Sequence, residues 1–346
     1  MIYLDNASTT KPKFFTSDLD DSWMNHNAQY TYSLKHTITA CREDIKKAIG
    51  ATGGKIIFCR CASEAMDIIS NEFKRLACFV KEHDCVWDNC FYQDFEWRNI
   101  PAADGYVCQL VNQLTGEYDL EIWKKGNFAH SNNQYFFCDA TAAIGKVEIP
   151  ARIDEWCDGL FFSCHKIHGP HIGVLWICDR LCGEWDLTKD ERNNHDFLHG
   201  TLDAGAVIAA TKAIICATSD IKDLEGYYDT LLNRLVSGLI KAGIDHELVC
   251  DKNNHMADYT SAINAIVLPG LNADSLQLWL ASRNVYVGLG ASACSDRHDY
   301  RVLCSGYDLS KSQAESAIRV SFCEDNTVEE IDRLVELIKE YKNIFN

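Results

Sequence analysis

The chain has 346 residues, of which 47% are hydrophobic, and its formal net charge is −17 at pH 7. A chain of this length can bury a large core and exceeds the usual size of a single domain, so we expect two closely packed domains. The acidic balance disfavours nonspecific binding to nucleic acid or to anionic lipid. Without an apolar stretch of bilayer length or a signal-peptide pattern, the sequence predicts a cytoplasmic protein that contacts no membrane.

Seventeen cysteines raise the question of a disulfide framework or a metal site. Disulfide-dense proteins are small and secreted, and this chain lacks the Cys-x-x-Cys pair that anchors many zinc and redox centres. We therefore expect no metal, and we expect most cysteines to be buried thiols in a reducing compartment. Cys294 differs, because it follows the small-residue run 288–293 and precedes the polar run 295–299, which predicts an exposed loop.

In chain order, short apolar runs alternate with helical or loop segments through the first half of the sequence. This alternation predicts a mostly parallel sheet with helices on both faces. The helix predicted for 62–74 follows the first of these runs directly, and a helix N-terminus in that position suits an anion. The strand-length runs are 55–58, 106–110, 135–137, 160–162 and 174–177.

From about residue 224 the pattern changes to long helices with a few strands between them. Helices are predicted for 227–239 and 273–283, with a strand at 262–268. The last helix begins with a capping box from Thr327 to Glu330 and has an apolar face formed by Ile331, Leu334, Val335 and Ile338. These elements predict a smaller α+β domain at the C-terminal end.

Two segments carry the most informative side chains. Asp139 ends one predicted strand, and the run from Ser163 to Lys166 follows the next, so an acid and an amine are expected at the carboxyl edge of one sheet, where such folds bind ligands. A lysine there can form a Schiff base with pyridoxal phosphate (PLP), and an aspartate can hold the pyridine nitrogen protonated. Taken alone, this motif is weak, because a lysine after a strand is more often a solvated surface residue.

Further motifs follow in a consistent order along the chain. With these, the sequence resembles the cysteine desulfurases, a branch of the class V aminotransferases, over most of its length. The specificity of the resemblance lies in the order and spacing, because any single hexapeptide could arise by chance. The segments are Met1 to Pro12, Phe58 to Glu64, Glu82-His83, Val111 to Gly116, Asp139, Lys166, Gly200 to Leu202, Gly290 to Ser295 and Ser316 to Ser321.

The resemblance implies a PLP fold-type I enzyme, with a large domain at 13–223 and a small domain formed by 1–12 and 224–346. It also implies a homodimer. Lys166 would hold PLP and move protons, Asp139 would pair with the pyridine nitrogen, His83 would stack on the ring, and Cys294 would be the nucleophile. The remaining implied contacts are Ala62, Ser63, Ser163, His165 and the neighbouring subunit's Thr201 for the phosphate, Gln113 for the cofactor, and Asn6 and Arg319 for the substrate.

The implied reaction converts L-cysteine to L-alanine and a persulfide on Cys294, which passes to an acceptor protein in iron-sulfur cluster assembly, thionucleoside synthesis or thio-cofactor synthesis. Cys294 and Arg319 are 25 positions apart. This separation favours the branch of the family with a long mobile cysteine loop, although an ordered surface loop fits the sequence equally. Two alternatives stay open, namely another class V reaction such as selenocysteine lysis or transamination, and a non-catalytic protein with the same fold.

The chain departs from the family pattern at specific positions. Ala142 stands where the family has a glutamine that contacts the phenolic oxygen of PLP, and Gln113 and Leu114 replace an asparagine and a glutamate. We predict that Gln113, one methylene longer than asparagine, makes the contact that Ala142 cannot. In the phosphate turn, Cys61 replaces a glycine, and we expect it to resist a positive φ.

Overall fold

The computed structural model describes residues 1–14, 28–93, 102–184, 202–219, 221–250, 258–290 and 299–345. The predictions for Thr201 and Cys294 lie outside these ranges. The strands are β1 (Ile2–Leu4), β2 (Lys55–Cys59), β3 (Leu76–Cys78), β4 (Tyr92–Gln93), β5 (Gly105–Gln109), β6 (Glu117–Tyr118), β7 (Tyr135–Asp139), β8 (Gly159–Ser163), β9 (Gly173–Ile177), β10 (Glu247–Leu248), β11 (Asp258–Tyr259), β12 (Ile263–Val267), β13 (Val285–Leu289) and β14 (Ala317–Ser321).

The helices surround these strands and interleave with them along the chain. They are α1 (Ala28–Ala48), α2 (Ala62–Glu72), α3 (Asp84–Trp87), α4 (Ile122–Ser131), α5 (Ile153–Trp156), α6 (Asp179–Glu184), α7 (Ala204–Ser219), α8 (Ile221–Lys241), α9 (Ala273–Ala281), α10 (Arg301–Gly306), α11 (Lys311–Ala314) and α12 (Val328–Phe345).

The larger sheet has the strand order β2-β9-β8-β7-β5-β3-β4. Strand β9 runs antiparallel to both of its neighbours, and the other strand pairs in this sheet are parallel. All residues of β8 and β9 are buried, as expected for strands covered on both faces. The predicted α/β fold is therefore confirmed.

The smaller sheet has the order β1-β13-β14-β12-β10. The N-terminal strand β1 pairs in parallel with β13, and the other pairs are antiparallel. A third pairing, β6 with β11, joins segments from the two halves of the chain. The larger sheet uses residues before the expected boundary near 223, and the smaller sheet uses residues after it together with β1. The exact division into domains stays a prediction.

Local signals explain most element boundaries. The predicted capping box at α12 is present, with Thr327 N–H donating to Glu330 Oε2 and Glu330 N–H donating to Thr327 Oγ1, both at 3.3 Å. Helix α2 ends two residues before the predicted limit, because Phe73 takes an extended conformation with φ −105° and ψ 102°. Helix α8 is longer than predicted at both ends.

The described cysteines are free thiols and most of them are buried, as expected; Cys216 is the exposed one. Within the described ranges, no single helix is both long and apolar enough to cross a membrane. The pair α7 and α8, which meets at a 72° bend, passes that test only when the two helices are taken together, on length and composition.

Candidate active site

A cavity of about 310 Å³ lies at the carboxyl edge of the larger sheet. Strand ends β7 and β8 open into it, together with the start of α2, the segment after β3, and β14 of the smaller sheet. Most of the predicted site residues meet there. The lining includes Ala7, Ser8, Cys61, Ala62, Ser63, His83, Cys85, Gln113, Asp139, Thr141, Ala142, Ser163, His165, Lys166 and Arg319.

Asp139 is the last residue of β7 and is buried. One of its carboxylate oxygens, Oδ1, accepts a hydrogen bond from the backbone N–H of Thr141 at 2.8 Å. This contact fixes the carboxylate at the turn and leaves its other oxygen available. The neighbouring Glu82 is also buried, and burial together with the charge of Asp139 raises the pKa of Glu82 to about 8. Glu82 itself lines a neighbouring pocket, so its carboxyl acts on this site through its proximity to Asp139.

Lys166 lies in a single 3-10 turn that directly follows β8. Its positive charge acts on both neighbouring histidines. Burial, reinforced by Lys166 and His171, lowers the pKa of His165 to about 4. Burial and the charge of Lys166 also lower the pKa of His83. Both imidazoles are accordingly neutral at physiological pH, so neither adds a positive charge next to the lysine.

His83 caps the N-terminus of α3. Its Nδ1 accepts a hydrogen bond from the backbone N–H of Cys85 at 3.1 Å. In the neutral ring this acceptor role places the proton on Nε2. The thiol of Cys85 lies 3.1 Å from the same Nδ1, so the turn from His83 to Cys85 fixes both the tautomer and the plane of the ring.

The part of the cavity between the start of α2 and the end of β8 is suited to an anion. Cys61 precedes α2 and provides no side-chain cap, and the first helical residue, Ala62, donates its N–H to Ser163 Oγ at 2.7 Å. A helix N-terminus and a hydroxyl thus meet at one point, as in many phosphate sites. Cys61 has φ −164°, an extended conformation open to any residue, so the expected strain from losing the family's glycine is absent.

The glycine that this turn does require is Gly173 in β9. A Cβ at Gly173 would lie 2.5 Å from the backbone carbon of Cys61 and 2.6 Å from the sulfur of Cys59. Both distances are too short for real atoms. Gly173 therefore allows the phosphate turn to pack directly on the adjacent strand.

Arg319 is in the middle of β14 and is only 2% exposed. Its Nη2 donates to Asp5 Oδ1 at 2.7 Å and to Ser8 Oγ at 2.5 Å, and its Nη1 donates to the carbonyl of Gln113 at 3.0 Å. Its Nε has no partner among the described residues. Arg319 is therefore a buried residue, and its guanidinium is held in place with donor capacity left over.

Asn6 is the one described site residue that the structure does not place on the cavity wall. Its Nδ2 donates to the carbonyl of Ser321 and to Oδ1 of Asn326, each at 3.1 Å. These bonds tie the N-terminal segment to the end of β14. The structure thus uses the Asn6 amide to anchor the N-terminal segment, and direct contact with a substrate stays a prediction.

Three polar atoms of residues in the cavity wall are buried without a hydrogen-bond partner in the described part of the chain, namely Oε1 of Gln113, Oγ1 of Thr141 and Nε of Arg319. Leaving such atoms unsatisfied costs about 1–3 kcal/mol each, which indicates that a bound group belongs there. Together with an acid, an amine and an anion site, these atoms fit PLP. Ala142 also lines the cavity, and its methyl group offers no hydrogen bond.

Sequence reasoning missed several residues of the cavity wall. Ser8 lies inside the motif Met1 to Pro12, and Cys85 and Thr141 lie two positions after His83 and Asp139, so the motifs could have identified all three. The ion pair between Asp5 and Arg319 had no such signal, since its members are 314 positions apart.

The chain belongs to the class-V aminotransferase family, whose sequence profile it matches over residues 2–87 and 101–334. Among its relatives, a probable mitochondrial cysteine desulfurase of Dictyostelium discoideum is 24% identical over 381 residues, covering 99% of this chain and 83% of that protein. The cysteine desulfurase IscS of Methanosarcina thermophila is 24% identical over 375 residues, covering 98% and 91%.

Solved structures agree on the fold. A NifS-like protein from Rickettsia africae ESF-5 superimposes with a TM-score of 0.82 at 19% identity, covering 99% of each chain. An apo cysteine desulfurase from Thermococcus onnurineus NA1 gives a TM-score of 0.77, also at 19% identity, covering 99% of this chain and 95% of that one.

Proposed function

We propose that this protein is a PLP-dependent cysteine desulfurase that converts L-cysteine to L-alanine and leaves the sulfur as a persulfide on Cys294. The observation that carries the proposal is the cavity itself, which brings Lys166, Asp139 and His83 together with a buried arginine. Relatives named as cysteine desulfurases, aligned over nearly the whole chain, support the same conclusion.

When bound, PLP supplies an electron sink for the negative charge that develops on the substrate carbon next to the amino group. Asp139 would keep a proton on the pyridine nitrogen, and Ser163 with the start of α2 would hold the phosphate. Lys166 Nζ would attach the cofactor and then carry the proton removed from the substrate carbon. The neutral ring of His83 would pack against the pyridine face without competing with Lys166 for a proton.

Arg319 would bind the carboxylate of the substrate. Guanidinium suits this task because its fork of donors matches a carboxylate. Asp5 and Ser8 hold Nη2, so they would fix the angle from which the arginine meets its ligand. A positioned carboxylate places the reacting atoms of a small amino acid near Lys166, and orientation of this kind accounts for much of catalysis.

The later steps rest on the family resemblance. Cys294 would attack the sulfur of the substrate and receive it as a persulfide for an acceptor protein in iron-sulfur assembly, thionucleoside synthesis or thio-cofactor synthesis. The neighbouring subunit's Thr201 would complete the phosphate site, which makes a homodimer the active form. We place the enzyme in the cytoplasm, although its relatives include mitochondrial proteins.

The test is direct. The purified protein is expected to absorb visible light through bound PLP, and Lys166→Ala is expected to abolish that absorption, whereas Lys222→Ala at the exposed surface keeps it. Incubation with L-cysteine is expected to give alanine together with a persulfide on Cys294, detected by mass spectrometry. Alanine without any persulfide would point to a different class V reaction, and a protein that never binds PLP would be a non-catalytic relative.

A further inference from the structure

Outside the cofactor cavity, one group of side chains has the composition of a metal site. His168, Cys323 and Glu324 each present a ligand atom, and these atoms lie within 4.8 Å of one another. His168 Nε2 is 3.1 Å from Glu324 Oε2. We propose that this cluster, referred to below as the His168 cluster, binds a zinc-type divalent transition-metal ion. The proposal departs from the expectation, drawn from the absence of Cys-x-x-Cys, that the chain holds no metal.

The ring of His168 is oriented as in a metal ligand. Its Nδ1 lies 2.7 Å from the carbonyl oxygen of Lys11, so Nδ1 carries the proton and donates it. Nε2 faces the sulfur and the carboxylate, where a bound ion would displace the proton that Nε2 donates to Glu324. Metal-binding histidines almost always donate their second ring N–H to a carbonyl, carboxylate or water, because this contact fixes the tautomer and the ring plane.

The backbone supports the same orientation. His168 has φ 63°, a left-handed conformation that is uncommon for residues other than glycine. Its N–H donates to Thr10 Oγ1 at 2.6 Å, and its carbonyl accepts from the N–H of Lys13 at 2.9 Å. The N-terminal segment therefore holds this unusual conformation, which directs the ring toward Cys323 and Glu324.

The ligand set also fits the charge of the ion. A thiolate and a carboxylate would together neutralise a divalent cation, and a neutral imidazole, thiolate and carboxylate are all common zinc ligands. His168 and Cys323 are buried, whereas Glu324 is exposed, so an ion can reach the cluster from solvent. A cavity of about 160 Å³ borders all three residues, leaving room for water as a fourth ligand.

Two lysines near the cluster bear on the charge balance. Lys13 Nζ contacts Oε1 of Glu324 at 2.6 Å and Asp325 at 2.8 Å. It therefore uses the carboxylate oxygen that does not face His168, and Asp325 balances its charge. Lys146 is buried in the same cavity and interacts electrostatically with Cys323 and Glu324. Its ammonium opposes a cation, so removing it is expected to strengthen metal binding.

A metal here would join three parts of the molecule. The carbonyl of Lys11 belongs to the N-terminal segment, His168 lies two positions after Lys166, and Cys323 follows β14 of the smaller sheet. The ion would hold the turn that carries Lys166 against the smaller sheet. Its presence does not depend on the proposed reaction, so failure of one proposal leaves the other intact.

The experiment uses the full-length protein after chelation and dialysis. Titration with Zn²⁺ is expected to reach one ion per chain by elemental analysis. Co²⁺ in its place is expected to add a thiolate-to-cobalt charge-transfer band in the difference spectrum against metal-free protein. Cys323→Ala is expected to remove that band and weaken binding at least about tenfold, whereas Lys146→Met is expected to tighten it.

Cys216→Ala is the matched control, because Cys216 borders the same cavity but is not a member of the cluster. It is expected to bind metal like the parent protein. The proposal is overturned if the parent binds no stoichiometric Zn²⁺, if the cobalt complex lacks the thiolate band, or if Cys216→Ala and Cys323→Ala lose it equally. The first two results need no variant, so the test stays decisive even if Cys323→Ala fails to fold. If the proposal is overturned, Glu324 and His168 form only an ion pair.

Discussion

The two ends of the cavity are built in different ways. At the cofactor end, Asp139 and Ser163 are the last residues of the adjacent parallel strands β7 and β8, and Lys166 lies in the turn that directly follows β8. At the substrate end, Arg319 is positioned by Asp5 and Ser8, more than 300 positions away in the sequence. The first arrangement follows from local pattern, whereas the second exists only once the smaller sheet has closed. Changes at the two ends should therefore have different effects.

The largest expected effect is that replacing Cys294 abolishes sulfur release while leaving PLP binding at the cofactor end intact. Cys294→Ala is expected to keep the absorption of bound PLP and to lose sulfide release from L-cysteine, because attachment of the cofactor depends on Lys166. The measurements are a visible spectrum and a sulfide assay with a reducing agent present. Sulfide release at the parent rate would contradict the proposed desulfurase mechanism.

The next effect addresses the substrate end. Arg319→Ala is expected to raise the KM for L-cysteine by about two orders of magnitude, because it removes charge-assisted hydrogen bonds to the carboxylate. Arg319→Lys should recover only part of this loss, since an ammonium lacks the guanidinium fork. PLP absorption serves as the control and should persist in both variants. An unchanged KM in Arg319→Ala would mean that this residue only braces the N-terminal segment.

A third prediction uses the buried acid beside Asp139. Burial, together with the charge of Asp139, raises the pKa of Glu82 from its ordinary value of 4.5 to about 8, so between these values the native state binds the proton more tightly than the unfolded state does. Stability from this group is complete at low pH and is lost as the pH rises through about 8. Glu82→Gln should remove that loss and be more stable than the parent by about 2–4 kcal/mol above pH 8.

Urea unfolding at a series of pH values measures this difference. Glu148→Gln is the control, because Glu148 is paired with Lys222 at the surface and its replacement should leave the pH dependence unchanged. If the Glu82→Gln and parent curves stay parallel from acid to alkaline pH, the buried carboxyl does not titrate in this window.

The smallest expected effect concerns Gln113, whose carbonyl accepts a hydrogen bond from Arg319 and whose side chain is expected to contact the cofactor. If its amide supplies the contact that Ala142 cannot, Gln113→Ala should shift the pH at which the absorption of bound PLP changes, by about one unit. Adding Ala142→Gln to that variant should largely restore the titration. Gln109→Ala is the matched control, because the Gln109 amide already donates to the carbonyl of Lys81 at 2.6 Å. An unshifted titration in Gln113→Ala would end the compensation hypothesis.

The cofactor end was largely predictable from sequence, because buried strands deliver residues to a known edge of the sheet. The strands ending near Asp139 and Lys166 are present as expected. The hydrogen-bond partners of Asn6 were not predictable, because Ser321 and Asn326 are more than 300 positions away in the sequence. The raised pKa of Glu82 was equally hidden, since it arises from burial against Asp139 and not from any local motif.

The parallel pairing of β1 with β13 has a consequence for biosynthesis. Strand β1 and residues Asp5 and Ser8 leave the ribosome early, but their partners in β13 and β14 are made only near the end of translation. Domains tend to fold as they emerge, whereas contacts of high sequence separation must wait. The nascent chain can therefore assemble the cofactor end first, and the arginine that would bind the substrate carboxylate takes its place last.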